Sequence, residues 1–180
     1  MRLAQSPDVI PPPNRIVVIG DLHGDREIFI SILLHAELVK YSREHKTLDW
    51  TGGDTVVVLM GDTVDSNRVG VKPDRKFIKK PMELQLQIDV PYFDFQARKH
   101  GGRVISILGN HDVFASSAQF TEYVKQADAN SYRSGRKQWY TPGQGFSKMF
   151  GQTRNVVQIV GSYLFVHGSL VPELFDLIEE

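Results

Sequence analysis

The chain of 180 residues carries 21 basic and 21 acidic side chains, so its formal net charge is zero, and 41% of it is hydrophobic. This is the composition of a folded domain, and its balanced charge offers no general attraction to nucleic acid or to an anionic membrane. Cysteine is absent, which excludes disulfides, thiolate metal sites and a cysteine nucleophile, and no apolar run approaches the ~20 residues of a spanning helix.

Residues 1–13 end in Pro11-Pro12-Pro13 and read as an extended N-terminal arm. The arm has one Arg and no apolar core of signal-peptide length, so the expected location is cytoplasmic. Residues 14–180 read as one domain. Residues 15–19 form a short buried strand that stops at Gly20. Asp25 is placed to cap a helix whose apolar positions are Phe29, Ile32, Leu33 and Ala36. Residues 54–60 form a second strand, stopping at Gly61. A helix is expected over residues 82–100, kinked or split at Pro91. Residues 103–108 form a third strand, stopping at Gly109, and a helix is expected over residues 114–127. Residues 156–160 and 163–167 flank Gly161-Ser162, the spacing of a tight hairpin. Strands alternating with helices predict an α/β layered fold, in which ligands gather beyond the carboxyl ends of the strands.

The residues following the strands are of one kind. They are Gly20-Asp21-Leu22-His23-Gly24, then Gly61-Asp62-Thr63-Val64-Asp65, then Gly109-Asn110-His111-Asp112, and finally His167-Gly168. Singly, each is turn or capping chemistry. Jointly they bring carboxylate, amide and imidazole donors to one place, and clustered carboxylates need a cation. Oxygen mixed with imidazole suits Mn, Fe or Zn. Asp62 has two carboxylate oxygens and could bridge two ions ~3.5–4 Å apart.

These four ordered motifs resemble the signatures of the calcineurin-like metallophosphoesterases, with the phosphoprotein phosphatase branch nearest. The stretch from Trp139 through Pro142-Gly143-Gln144-Gly145 to Phe165-Val166-His167-Gly168 is most similar to the bacterial-like, Shewanella-like protein phosphatases. The resemblance implies a layered α-β-β-α sandwich with mixed sheets, here only its N-terminal part. It implies two divalent metal ions: Asp21 and His23 on the first, Asp62 on both, Asn110 and His167 on the second. It implies His111 as general acid, oriented by Asp65, with attack by metal-bound hydroxide on a phosphomonoester. The implied partner is a phosphorylated protein (phospho-Ser/Thr or phospho-Tyr) or a small phosphoester, with no nucleic acid and no membrane. Symmetrical diadenosine-tetraphosphate hydrolases share very similar motifs, and a fold-retaining, non-catalytic binding protein is the remaining alternative.

The chain departs from the family pattern at Ser66, where the family has a phosphate-gripping Arg, at Asn67 and at Ser169. Arg68 is the candidate replacement for that Arg. No His follows His167, whereas the family pattern has a later metal-binding His, so the domain is expected to be truncated at its C-terminus. Two basic stretches, residues 66–80 and 129–155, read as loops flanking the mouth. Neutralising Arg133, Arg136 and Lys137 there is expected to raise KM. His35, His45 and His100 read as structural or solvated, and Trp50 and Trp139 as packing residues.

Overall fold

The computed structural model describes residues 5–66, 82–117, 123–124 and 136–172. In chain order the elements are β1 (Val9–Ile10), β2 (Ile16–Ile19), α1 (Arg26–His35), β3 (Val39–Ser42), β4 (Thr47–Trp50), β5 (Val56–Leu59) and α2 (Glu83–Ala97). There follow β6 (Arg103–Ser106), α3 (Asn110–Ser116), α4 (Arg136–Trp139), α5 (Gly145–Thr153), β7 (Val157–Val160) and β8 (Tyr163–Val166). Arg98–His100 adds one tight turn of helix after α2.

The sheet that positions the site has the order β2-β5-β6 and is parallel throughout. Its middle strand, Val-Val-Val-Leu, is buried at every position, as an unbroken apolar run in a parallel sheet requires. Strand alternation divides those side chains between two layers. Val57 and Leu59 face Phe29 and Leu33 of α1 and Leu86 and Phe93 of α2. Val56 and Val58, with Ile105, pack against Ile10 and Val160 of the second sheet. That sheet has the order β1-β7-β8, with β1 parallel to β7 and β7 antiparallel to β8. The arrangement is the expected α/β layering with mixed sheets. On the outer face of the second sheet, Val9, Ile159 and Leu164 stand in register and exposed.

Asp25 caps α1 as expected, its side chain accepting from the Ile28 N–H at 3.0 Å. The hairpin turns at Gly161-Ser162, with Gly161 at φ +58°. Three local expectations are refined. α2 is not split at Pro91 but runs through it as one helix. The missing N–H and the ring's clash with the preceding turn together cost ~3 kcal/mol, and burial of Leu86, Val90 and Phe93 along the same helix returns about 1.5–3 kcal/mol for each side chain. The helix expected from residue 114 begins at Asn110. Gly109 supplies the extended residue before it, and the Asp112 side chain accepts from the Gly109 N–H at 2.9 Å. Its expected extent over residues 118–122 and 125–127 lies outside the described residues. The N-terminal segment contributes β1 to the second sheet, and the short hairpin β3-β4 was not anticipated. Among the described residues no helix is long and apolar enough to cross a membrane.

Candidate metal centre

Because β2, β5 and β6 are parallel and in register, the loops that follow them leave the sheet on one side. Backbone hydrogen bonds then stitch the loops together. The N–H groups of Leu22 and His23 both donate to the Asp62 carbonyl, at 3.2 and 2.9 Å, and the Gly24 N–H donates to the Thr63 carbonyl at 3.0 Å. Gly61, at φ +97°, permits a close approach. A Cβ there would lie 2.5 Å from the Gly109 backbone nitrogen and 3.0 Å from His167 Nδ1. His23, Asp62 and Asp65 all hold positive φ, at 44°, 48° and 65°. Asp and His tolerate that region better than most residues, and strained backbone persists where the surroundings over-determine it.

The side chains converge accordingly. Asp21, Asp62 and His167 offer ligand atoms that all lie within 4.8 Å of one another. His167 Nε2 is 3.5 Å from Asp62 Oδ2 and 3.0 Å from Asn110 Oδ1. His23 Nε2 is 3.8 Å from Asp21 Oδ2 and 3.9 Å from Asp62 Oδ2. The other ring nitrogen of each histidine settles its tautomer. Nδ1 of His167 donates to the Met60 carbonyl at 2.7 Å. Nδ1 of His23 donates to the carbonyls of Val64 and Asp65, both at 3.1 Å. In the neutral ring the Nε2 lone pairs therefore point at carboxylate and amide oxygens. Acceptors facing acceptors repel unless a cation lies between them, and a histidine anchored through its far N–H is the usual form of a metal ligand. The donor set fits divalent cations.

Asp62 is nearly fully buried and splits its carboxylate. Oδ1 accepts from the His111 N–H at 2.9 Å, which leaves Oδ2 as the oxygen that faces both histidines. His111 turns its ring the other way. Its Nδ1–H donates to Asp65 Oδ2 at 2.8 Å, and its ring meets those of His23 and Tyr123 edge-on, with centroids 5.0 and 5.1 Å away. Burial pushes the Asp65 carboxyl up to about 6, against the lowering influence of the Arg136 guanidinium and of the His111 hydrogen bond, while Glu83 pushes it further up. Removing Arg136 would drive Asp65 further toward the neutral acid.

The structure thus brings Asp21, His23, Asp62, Asp65, Asn110, His111 and His167 to one end of the sheet. Arg68, Arg133 and nearly all of the first basic stretch lie outside the described residues. The second basic stretch is corrected. Arg136 is buried against Asp65 and Glu83, and Arg154 is buried against Asp112. Neither is free to draw in a substrate, because each compensates a buried carboxylate. His35 and His45 make local surface contacts and His100 is exposed. Trp50 packs in the core, whereas Trp139 is 38% exposed beside Phe146.

Sequence reasoning missed the polar layer under the site: Glu83 and Gln87 of α2, with Thr63, Asp112, Arg136, Tyr140 and Arg154. One signal was available. Glu83 and Gln87 stand one helical turn apart on the same face of α2, and both are fully buried.

Comparison with known proteins gives the family and the fold. The family model for calcineurin-like phosphoesterases matches residues 14–179. An uncharacterised protein of Schizosaccharomyces pombe is 34% identical over 121 residues, covering 67% of this chain and 31% of that protein. Shewanella-like protein phosphatase 2 of Arabidopsis thaliana is 30% identical over 114 residues, covering 63% of this chain and 25% of that protein. Among solved structures, a cold-active protein tyrosine phosphatase superposes with a TM-score of 0.75 at 18% identity, covering 97% of this chain and 47% of its own. The cold-active protein-tyrosine phosphatase of a psychrophilic Shewanella species gives 0.66 at 17% identity, covering 97% and 48%. These two likenesses establish the fold. The chain spans about a third or less of those two curated relatives and about half of the solved chains.

Proposed function

Since the chain belongs to the calcineurin-like phosphoesterase family, we propose that it is a metal-dependent phosphomonoesterase acting on phosphorylated protein, at phospho-Ser/Thr or phospho-Tyr. The observation that carries this reading is the pair of histidines, His23 and His167. Each is anchored through Nδ1 to main-chain carbonyls and turns Nε2 toward the same Asp62 oxygen. The similarity to a Shewanella-like protein phosphatase supports the substrate class.

Asp21 and His23 would hold one divalent ion, Asn110 and His167 the other, with Asp62 common to both. Mn, Fe or Zn would suit this donor set. Bound there, the ions supply an acidified water and neutralise charge on the phosphoryl oxygens. The chain's own residues do the rest. Asp65 accepts from Nδ1 of His111, which leaves Nε2 to carry the proton given to the leaving oxygen. The main-chain N–H of His111 holds Asp62 Oδ1, so proton donor and shared carboxylate are fixed relative to each other. Arg68 is the proposed phosphate grip in place of the family Arg, through a bidentate contact.

The test is hydrolysis by the purified protein, expressed with whatever flanking sequence its natural reading frame supplies. The substrates are p-nitrophenyl phosphate, phosphoserine and phosphotyrosine peptides, and diadenosine tetraphosphate. Phosphopeptide hydrolysis should vanish on chelation and return with Mn. Preferential cleavage of the tetraphosphate would reassign the substrate, and metal uptake without any turnover would favour a binding protein.

A further inference from the structure

Beneath His111 lies a buried chain of charged groups. Asp65 gives one carboxylate oxygen to His111 and the other to Arg136, whose Nη2 donates to Oδ1 at 2.8 Å. Arg136 is held in turn by Glu83, through Nε to Oε1 at 2.8 Å. Glu83 also accepts the Asp65 main-chain N–H on Oε2 at 3.0 Å and the Tyr140 hydroxyl on Oε1 at 3.2 Å. The Tyr140 ring lies under the guanidinium, 4.6 Å from its centroid to Cζ. Asp65, Glu83, Arg136 and Tyr140 are all buried.

The network does more than compensate charge. Asp65 is fixed at its two carboxylate oxygens, its backbone N–H and its carbonyl, which accepts from His23, in a left-handed backbone conformation that an L residue adopts reluctantly. Glu83 reaches two of those points, the N–H directly and Oδ1 through Arg136.

We propose that Arg136, seated by Glu83 and Tyr140, is a positioning residue for the proton donor. It locks Asp65 in the orientation that aims the His111 ring. The inference rests on the reading of His111 as general acid, and it predicts a defect in proton donation, where the basic-loop expectation for Arg136 predicted a defect in KM. A proton matters most to a poor leaving group, so Arg136→Met should lower kcat for phenyl phosphate about 100-fold, while kcat for dinitrophenyl phosphate changes about threefold or less. KM should stay nearly constant, and Arg136→Lys should recover part of the loss. Adding Arg136→Met to His111→Gln should cost nothing further, since the two act through one proton. Arg136→Met/Glu83→Gln removes one of the two carboxylates left without their guanidinium and keeps the test open should the single variant fold poorly.

A second readout needs no turnover. The hydrogen-bonded Nδ1 proton of His111 should give a downfield resonance in the metal-free protein, lost in Arg136→Met and retained in Arg136→Lys. Equal losses on both phosphates, additive losses with His111→Gln, or an unchanged resonance in Arg136→Met would each overturn the proposal. Absence of leaving-group selectivity in His111→Gln itself would instead remove the general-acid reading, and the resonance would then decide the positioning role alone.

Discussion

Asp62→Asn is expected to abolish phosphoester hydrolysis, with a loss of at least about a thousandfold in kcat, while leaving the fold intact. The amide is isosteric and can keep the bond to the His111 N–H through its oxygen. What it loses is the negative charge at Oδ2, the atom that faces His23 and His167 together. Metal content should fall, and the stability of the metal-free protein should hold or rise, because one of two clustered carboxylates is gone. Turnover by the variant at the wild-type rate would remove Asp62 from the centre of the mechanism.

Arg154→Met is expected to destabilise the protein by about 3–5 kcal/mol, the range seen when one partner of a buried ion pair is removed. Nη1 of Arg154 reaches Asp112 Oδ1 at 3.0 Å and Thr63 Oγ1 at 2.9 Å, and Nη2 reaches Gln87 Oε1 at 2.6 Å. Burial holds its pKa below the ordinary guanidinium value while Asp112 opposes that shift, and the Phe150 ring lies 3.5 Å away. One side chain thus ties α5 to α2, to the loop after β5 and to the start of α3. Asp112 is also bonded to the N–H groups of Thr63 and Gly109, so an uncompensated charge there disturbs both loops of the site. Urea denaturation should show the loss, and adding Asp112→Asn should restore part of it. A loss below about 1 kcal/mol would show that the network does not anchor the loops.

How much of this was visible in the sequence depends on the range of the interaction. The strands of the parallel sheet were legible because each is an apolar run ending at glycine, and Asp25 because capping is local. The β3-β4 hairpin was not, since its turn contains no glycine and reverses at Lys46, with φ 52°. β1 is two residues beside a proline run. The motif residues could be grouped because each follows a strand end, and parallel strands place those ends together. The polar layer beneath them could not be read the same way. Arg136 meets its carboxylates across 53 and 71 residues of chain. Neither periodicity nor charge counting distinguishes a basic residue that neutralises a buried acid from one that stays in water.

The proposed function requires the loops after β2, β5 and β6, with His167 after β8, to enclose a pair of divalent ions. Anomalous diffraction from Mn-loaded crystals tests it most directly. Two peaks should appear, one between Asp21, His23 and Asp62 and the other between Asp62, Asn110 and His167. Saturating Mn with no anomalous density between these side chains, or with density only elsewhere on the surface, would contradict it.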